Sequence, residues 1–181
     1  LGLKFKEIEG IADYADAPPV IVCSLGDGAI TEGEASEAMQ MAVLHQLPIV
    51  YLVQDNDWGI SATGQEMRAM DAVEFAQGFK GLETRRVDGR DFIASSQLMD
   101  EVYAQVRNER RPFLVHAEVP LLHHHTSGVR HEFYRDQEEL KQQIESEDPR
   151  LILRRQLLEQ KVEESQLSSV EDEAKTEIEE A

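Results

Sequence analysis

The stretch Val20-Ile-Val-Cys-Ser-Leu-Gly-Asp-Gly28, continuing Ala29-Ile-Thr-Glu-Gly-Glu34, decides how the rest of the chain is read. Behind Pro18-Pro19, the run Val20 to Ser24 has the short apolar pattern of a buried strand. Gly26-Asp27-Gly28 then allows a sharp turn, because glycine tolerates backbone angles that other residues avoid. Thr31 and Glu34 stand at capping-box spacing, which predicts a helix from there to about Gln46.

Outward from that unit the alternation repeats. Ile49 to Gln54 reads as a second strand, and Asp55 to about Met70 as a polar loop. Asp71 with Glu74 is another capping-box pair, opening a short helix to about Phe79. Thr84 to Val87 is a weaker strand, followed by the turn pair Asp88-Gly89. Phe92, Ile93, Leu98, Val102 and Val106 recur at near-helical spacing, predicting an amphipathic helix from Asp91 to about Arg110. Phe113 to Glu118 is a further strand, and an unusual loop covers Leu121 to Arg135. Beyond it the sequence is helical, with Asp148-Pro149 as a start signal. Strands alternating with amphipathic helices predict an α/β fold: a mostly parallel sheet with helices on both faces, then C-terminal helices. Residues 1–135 are expected to form the α/β domain, short of its N-terminal part, and 136–181 an acidic helical extension of it.

Composition narrows the function. The net charge of -18 argues against a nucleic-acid surface, which needs clustered Lys and Arg. The last quarter, from Asp136, holds fifteen acidic against six basic residues, a solvated helical face. The longest apolar run, Leu47 to Val53, is strand-sized, so no membrane partner is expected. The single cysteine, Cys23, cannot pair within the chain and reads as a small core residue. The chain opens at Leu1, in what reads as mid-helix, and is expected to lack an N-terminal portion.

In parallel sheets ligands gather at the carboxyl ends of strands. Gly26-Asp27-Gly28 occupies such a position, and Asp55-Asn56 follows after 26 intervening residues, past the next strand. If strand, helix and strand form one right-handed unit, Asp27 and Asn56 share one sheet edge. A carboxylate, an amide oxygen and a nearby carbonyl make a half-shell of hard oxygens. That set suits magnesium, which keeps few protein ligands and fills its shell from phosphates and water.

These residues resemble the thiamine-diphosphate motif. The run Gly26 to Glu34, with Leu47-Pro48-Ile49-Val50 and Gln54-Asp-Asn-Asp-Trp-Gly-Ile-Ser61, is similar specifically to alpha subunits of thiamine-diphosphate-dependent 2-oxo acid dehydrogenases. The resemblance implies magnesium on Asp27, Asn56 and the Trp58 carbonyl. It implies cofactor contacts from Gly26, Asp27, Gly28, Ala29, Asn56, Trp58, Ile60 and His125. His123-His124-His125-Thr126-Ser127 followed by Tyr134-Arg135 matches the family's histidine loop. Counted back from Tyr134-Arg135, the family's cofactor-contacting histidine falls on His125, and a hydroxyl position on Thr126.

The implied activity is decarboxylation of a 2-oxo acid with acyl transfer to a lipoyl group on a partner transacylase. The histidines followed by Thr-Ser point to branched-chain substrates such as 2-oxoisovalerate, with pyruvate or acetoin members as the alternative. The activating glutamate of the family comes from a beta subunit or a fused beta half, so the chain alone is expected to be inactive. The family implies a cytoplasmic location in a bacterium and the mitochondrial matrix in a eukaryote.

The pattern departs from the family at four places. Asp55 replaces the first Asn of the usual pair, Trp58 a tyrosine, and Val129-Arg130 the loop's usual acidic residues; the family's long N-terminal portion is expected to be missing from this sequence. Three further readings stand beside this one. Another thiamine-diphosphate family, such as a transketolase-like protein, is the nearest, and the histidine-loop and Tyr134-Arg135 spacing argues against it. A non-catalytic assembly subunit of the same fold would bind no cofactor. A histidine-cluster transition-metal protein would bind zinc or nickel independently of Asp27, although adjacent histidines rarely point at one ion. His45 and His116 read as structural, Met39 and Met41 as core, and Arg85-Arg86 and Arg110-Arg111 as solvated charge.

Overall fold

The computed structural model describes residues 1–11 and 18–180. Helix α1 (Gly2–Ile8) precedes strand β1 (Ile21–Gly26), whose turn leads to helix α2 (Gly33–Leu44) and strand β2 (Ile49–Asp55). A two-stranded hairpin follows, β3 (Trp58–Gly59) with β4 (Ala62–Thr63), then the short helices α3 (Gly64–Met67) and α4 (Ala72–Ala76). Strand β5 (Glu83–Asp88), helix α5 (Phe92–Glu109) and strand β6 (Phe113–Glu118) complete the α/β region. Helices α6 (Gln137–Glu147), α7 (Pro149–Glu159) and α8 (Glu164–Glu180) follow. The main sheet runs β1-β2-β6-β5 with every pair parallel, as the alternating pattern predicts.

Parallel pairing puts all strand ends, and hence the loops after them, on one edge. Gly26 pairs with Gln54, and Asp55 with Glu118, so Asp27, Asn56 and the loop after β6 leave the sheet side by side. The two faces of the central strands are both covered, because residues alternate between them. Tyr51, Val53 and Leu114 pack with Met39, Ala42 and Ala76 from α2 and α4. Val50, Phe113 and Val115 pack with Val102 and Val106 of α5 on the other face. Phe113 is fully buried, which stabilises the fold by about 2–3 kcal/mol relative to exposure.

Several local expectations are corrected. Thr31 and Glu34 do not form a capping box. Thr31 Oγ1 instead donates to the Gly28 carbonyl at 2.9 Å within a 3-10 turn, Gly28–Thr31, and α2 begins after Glu32 without a side-chain cap. Strand β1 is not buried: it is the edge strand, with Ile21 and Val22 exposed and Cys23 half-buried against the core. Met39 is buried as expected, but Met41 is exposed. Helix α4 ends at Ala76 rather than Phe79, and the segment read as a polar loop holds the hairpin and α3.

The arginine pairs are anchors rather than solvated charge. Arg86 meets Asp71 at 2.6 Å, Arg110 pairs with Glu7 and donates to the Pro19 carbonyl at 2.8 Å, and Arg111 pairs with Glu83. Arg85 and Arg111 also lie over the Phe113 ring at 5.5 and 5.2 Å. The acidic extension docks through Leu140, which is buried, and through Gln156, which donates to Asp91 at 3.0 Å. Among the described residues no helix is long and apolar enough to cross a membrane.

Candidate functional site

Asp27 is held at the first position past β1, with 1% of its surface exposed. Its Oδ2 has no hydrogen-bond partner, and the nearest cation, Arg68 Nη1, stands 3.5 Å away. Burial raises the Asp27 pKa, and the neighbouring Asp55 charge raises it further, against opposition from Arg68 and the backbone N–H groups of Asp27 and Asn56. A buried carboxylate with a free oxygen is expensive to maintain.

The second strand end is shaped by two nested turns. The Asp57 N–H donates to Asp55 Oδ1 at 3.0 Å, and the Trp58 N–H to Asn56 Oδ1 at 3.0 Å. Such side-chain-to-backbone turns are characteristic of Asp and Asn. Asn56 Oδ1 keeps one further acceptor site, since an amide oxygen carries two lone pairs. Asp57 and Ile60 sit in the left-handed region, at φ 61° and 64°. That geometry costs a β-branched residue on the order of 1–3 kcal/mol, and Ile60 is also exposed.

Arg68 closes the cluster. It donates to both oxygens of Asp55, at 2.7 and 2.9 Å, and to Asp57 Oδ1 at 3.3 Å. Burial alone raises the Asp55 pKa, but the Arg68 hydrogen bonds, the Asp57 N–H and the Arg68 charge outweigh it, so the net shift is downward. His116, also buried, brings Nε2 to 3.4 Å from Asp55 Oδ2, while its Nδ1 is unpartnered. Three carboxylates thus face one guanidinium, leaving two negative charges that one divalent cation would balance. A cleft of about 400 Å³ opens beside Asp55, Asn56 and Arg68, with Arg86, Arg90 and His116 in its walls.

The loop after β6 joins this region through its far end. The Tyr134 and Trp58 rings lie 5.3 Å apart, and the Arg135 guanidinium sits 5.3 Å over Trp58. Arg135 also donates to the Leu121 carbonyl and, at 2.6 Å, to Gln143, pinning both ends of the loop. His123, His124 and His125 are exposed and do not converge on one point. His124 instead approaches His131, with ring centroids 4.3 Å apart.

Residues 4–181 match the family model described as dehydrogenase E1 component. The chain belongs to that family. This E1 chain is 35% identical over 129 residues to the 3-methyl-2-oxobutanoate dehydrogenase subunit alpha of Mycobacterium tuberculosis, covering 71% of this chain and 35% of that one. It is 29% identical over 149 residues to the human mitochondrial 2-oxoisovalerate dehydrogenase subunit alpha, covering 82% and 34%. It is 30% identical over 184 residues to the pyruvate dehydrogenase E1 component subunit alpha of Rickettsia conorii, covering 99% and 53%. The chain therefore spans about a third to a half of the length of these relatives. A transketolase from Campylobacter jejuni superposes with a TM-score of 0.52 at 21% identity, over 64% of this chain and 17% of that one, a likeness of fold.

For the E1 chain, the structure brings Asp27, Asn56 and Trp58 to one sheet edge. The free Asp27 oxygen and the spare Asn56 lone pair suit a hard cation. A Cβ added at Gly26 would meet nothing within 4 Å, and one at Gly28 only Met67 Sδ at 3.8 Å. Packing inside the chain therefore requires neither glycine, whereas close approach of a diphosphate to the backbone would. Arg68 escaped the sequence reading, and His116, read there as structural, stands in the cleft wall against Asp55. The available signal for Arg68 was that it is the sole basic residue between Asp55 and Asp71 in an acid-rich stretch.

Proposed function

We propose that this E1 chain forms the diphosphate-and-magnesium part of a thiamine-diphosphate site in a 2-oxo acid dehydrogenase acting on branched-chain 2-oxo acids such as 2-oxoisovalerate. The observation that carries this reading is Asp27, buried and with a free carboxylate oxygen beside Asn56 on the adjacent strand end. Asp27, Asn56 and the Trp58 carbonyl would hold magnesium. Gly26, Gly28, Ala29 and Ile60 would contact the cofactor. Bound thiamine diphosphate would supply the nucleophilic carbon and the electron sink for decarboxylation.

The chain's own residues have supporting roles. Arg68 neutralises Asp55, so that the extra carboxylate at the position of the usual asparagine does not repel the diphosphate. Trp58, packed against Tyr134 and Arg135, fixes the backbone whose carbonyl is needed. His125 is exposed on the loop pinned by Arg135 and would donate a proton or hydrogen bond to the reacting carbonyl. Imidazole suits that role because it titrates near neutrality. A beta subunit or fused beta half would complete the pocket, and a lipoyl-bearing transacylase would take the acyl group. The relatives named for branched-chain 2-oxo acids favour that substrate class, and the pyruvate relative makes pyruvate the second reading.

The test is carbon dioxide release and lipoyl acylation by the full assembly, with 2-oxoisovalerate and pyruvate compared. A higher kcat/KM for 2-oxoisovalerate, and a fall of about 10²-fold or more in kcat for His125→Ala, are expected. Turnover of neither acid would contradict the reading and favour an assembly subunit. A His125→Ala enzyme with full kcat would remove His125 from the chemistry.

A further inference from the structure

The histidine run does not act as a run, but one of its members meets two residues from further along the loop. Thr126 Oγ1 accepts from the Gly128 and Val129 N–H groups at 3.0 and 3.3 Å, a tight turn that reverses the chain. A 3-10 turn, His131–Phe133, then sets His131 and Glu132 side by side. The reversal returns His131 to His124: the His131 N–H donates to His124 Nδ1 at 3.2 Å.

Glu132 Oε2 lies 3.3 Å from His131 Nδ1 and 3.9 Å from His124 Nδ1, and one ligand atom from each of the three residues falls within 4.8 Å of the others. Ligands on a tetrahedral zinc, with bonds of about 2.0–2.1 Å, stand roughly 3.3 Å apart. The three groups are therefore about an ångström or less from a ligating arrangement along the two measured edges. Arg130 Nη2 occupies Oε1 of the carboxylate at 2.7 Å, while Oε2 faces the imidazoles, with Arg130 Nε a longer contact at 3.3 Å. His124 and Glu132 are each more than a third exposed, so water can fill a fourth position. Two imidazoles and one carboxylate are a borderline donor set, suited to zinc rather than magnesium.

We propose that His124, His131 and Glu132 bind one divalent transition ion of the zinc class, at a site separate from Asp27 and Asn56. Ligation exchanges the His131 N–H contact to His124 for a bond to the ion. Because the site ties the start of the loop to its end, the ion would staple the segment that carries His125. The proposal does not depend on the thiamine-diphosphate reading.

The test is titration of cobalt(II), a coloured stand-in for zinc, into the untagged full assembly, followed by displacement with zinc. Visible bands growing to one equivalent per chain and bleached by zinc are expected. His131→Ala and Glu132→Gln should each weaken binding at least about tenfold, since each removes one of three ligands. His123→Ala and Asp27→Ala should leave it unchanged, and far-ultraviolet circular dichroism would verify that each variant is folded. Absence of the bands, equal affinity in folded His131→Ala and Glu132→Gln, or loss of the bands in Asp27→Ala would each overturn the proposal.

Discussion

At the scale of single residues, Asp27 lies among surroundings that disfavour its charge. Burial and the Asp55 charge raise its pKa, and only Arg68 and two backbone N–H groups offset them. A carboxyl whose folded-state pKa is raised binds its proton more readily in the fold. It therefore costs stability above that pKa, and the cost fades as pH falls toward the ordinary value of 3.8. In metal-free buffer Asp27→Asn should thus unfold at higher urea than wild type at neutral pH, with the advantage shrinking in acid. A variant less stable at every pH would instead make Asp27 a structural partner of Arg68. Asp55 carries the opposite sign. Burial raises its pKa, but the Arg68 hydrogen bonds lower it overall, so its contribution is present above 3.8 and lost as pH falls below. Such opposed neighbours are common at functional sites, where stability is given up for binding.

At the scale of elements, the turn after β5 is constrained by backbone beside the cleft. The Gly89 N–H donates to the Glu118 carbonyl at 2.7 Å, and a Cβ there would stand 2.5 Å from Val119 Cγ1 and 2.8 Å from the Glu118 carbonyl oxygen. Backbone oxygen cannot step aside as a flexible side chain can. Gly89→Ala should therefore lower the unfolding free energy by about 1–3 kcal/mol, read from urea titration. A change below about 0.5 kcal/mol, the usual surface value, would show that the turn relaxes freely. How legible an element was depended on how local its signal is. Asp71 and Glu74 form their capping box in both directions, because Arg86 takes Oδ2 of Asp71 and leaves Oδ1 to accept from the Val73 and Glu74 N–H groups. Thr31 and Glu34 have the same spacing and form none, since the tight Gly28–Thr31 turn takes the threonine hydroxyl. The hairpin β3–β4 has two residues per strand, too few to show a period. Strand β1 looked buried because composition records hydrophobicity, whereas edge position is settled by which strands pair.

For the whole molecule, the site was legible wherever topology does the positioning. A parallel sheet delivers every βα loop to one edge, so two motifs separated by a helix become neighbours once the alternation is recognised. The registers of β1 with β2 and of β2 with β6 place them so. Arg68 was not read in the same way, because it reaches Asp27 and Asp55 from the end of a short helix whose one local signal, the Thr63 and Glu66 capping box, says nothing of where the next side chain points. Nor did the histidine run reveal that His124 meets His131 and Glu132 across a loop reversal.

The central claim is that Asp27 holds the metal of a diphosphate cofactor, and its most direct test is calorimetric titration of thiamine diphosphate into the intact alpha-beta assembly, with and without magnesium, beside the Asp27→Ala assembly. The account predicts binding that requires magnesium in the wild type and is lost in the variant. Equal binding by both assemblies, or none by either, would contradict it.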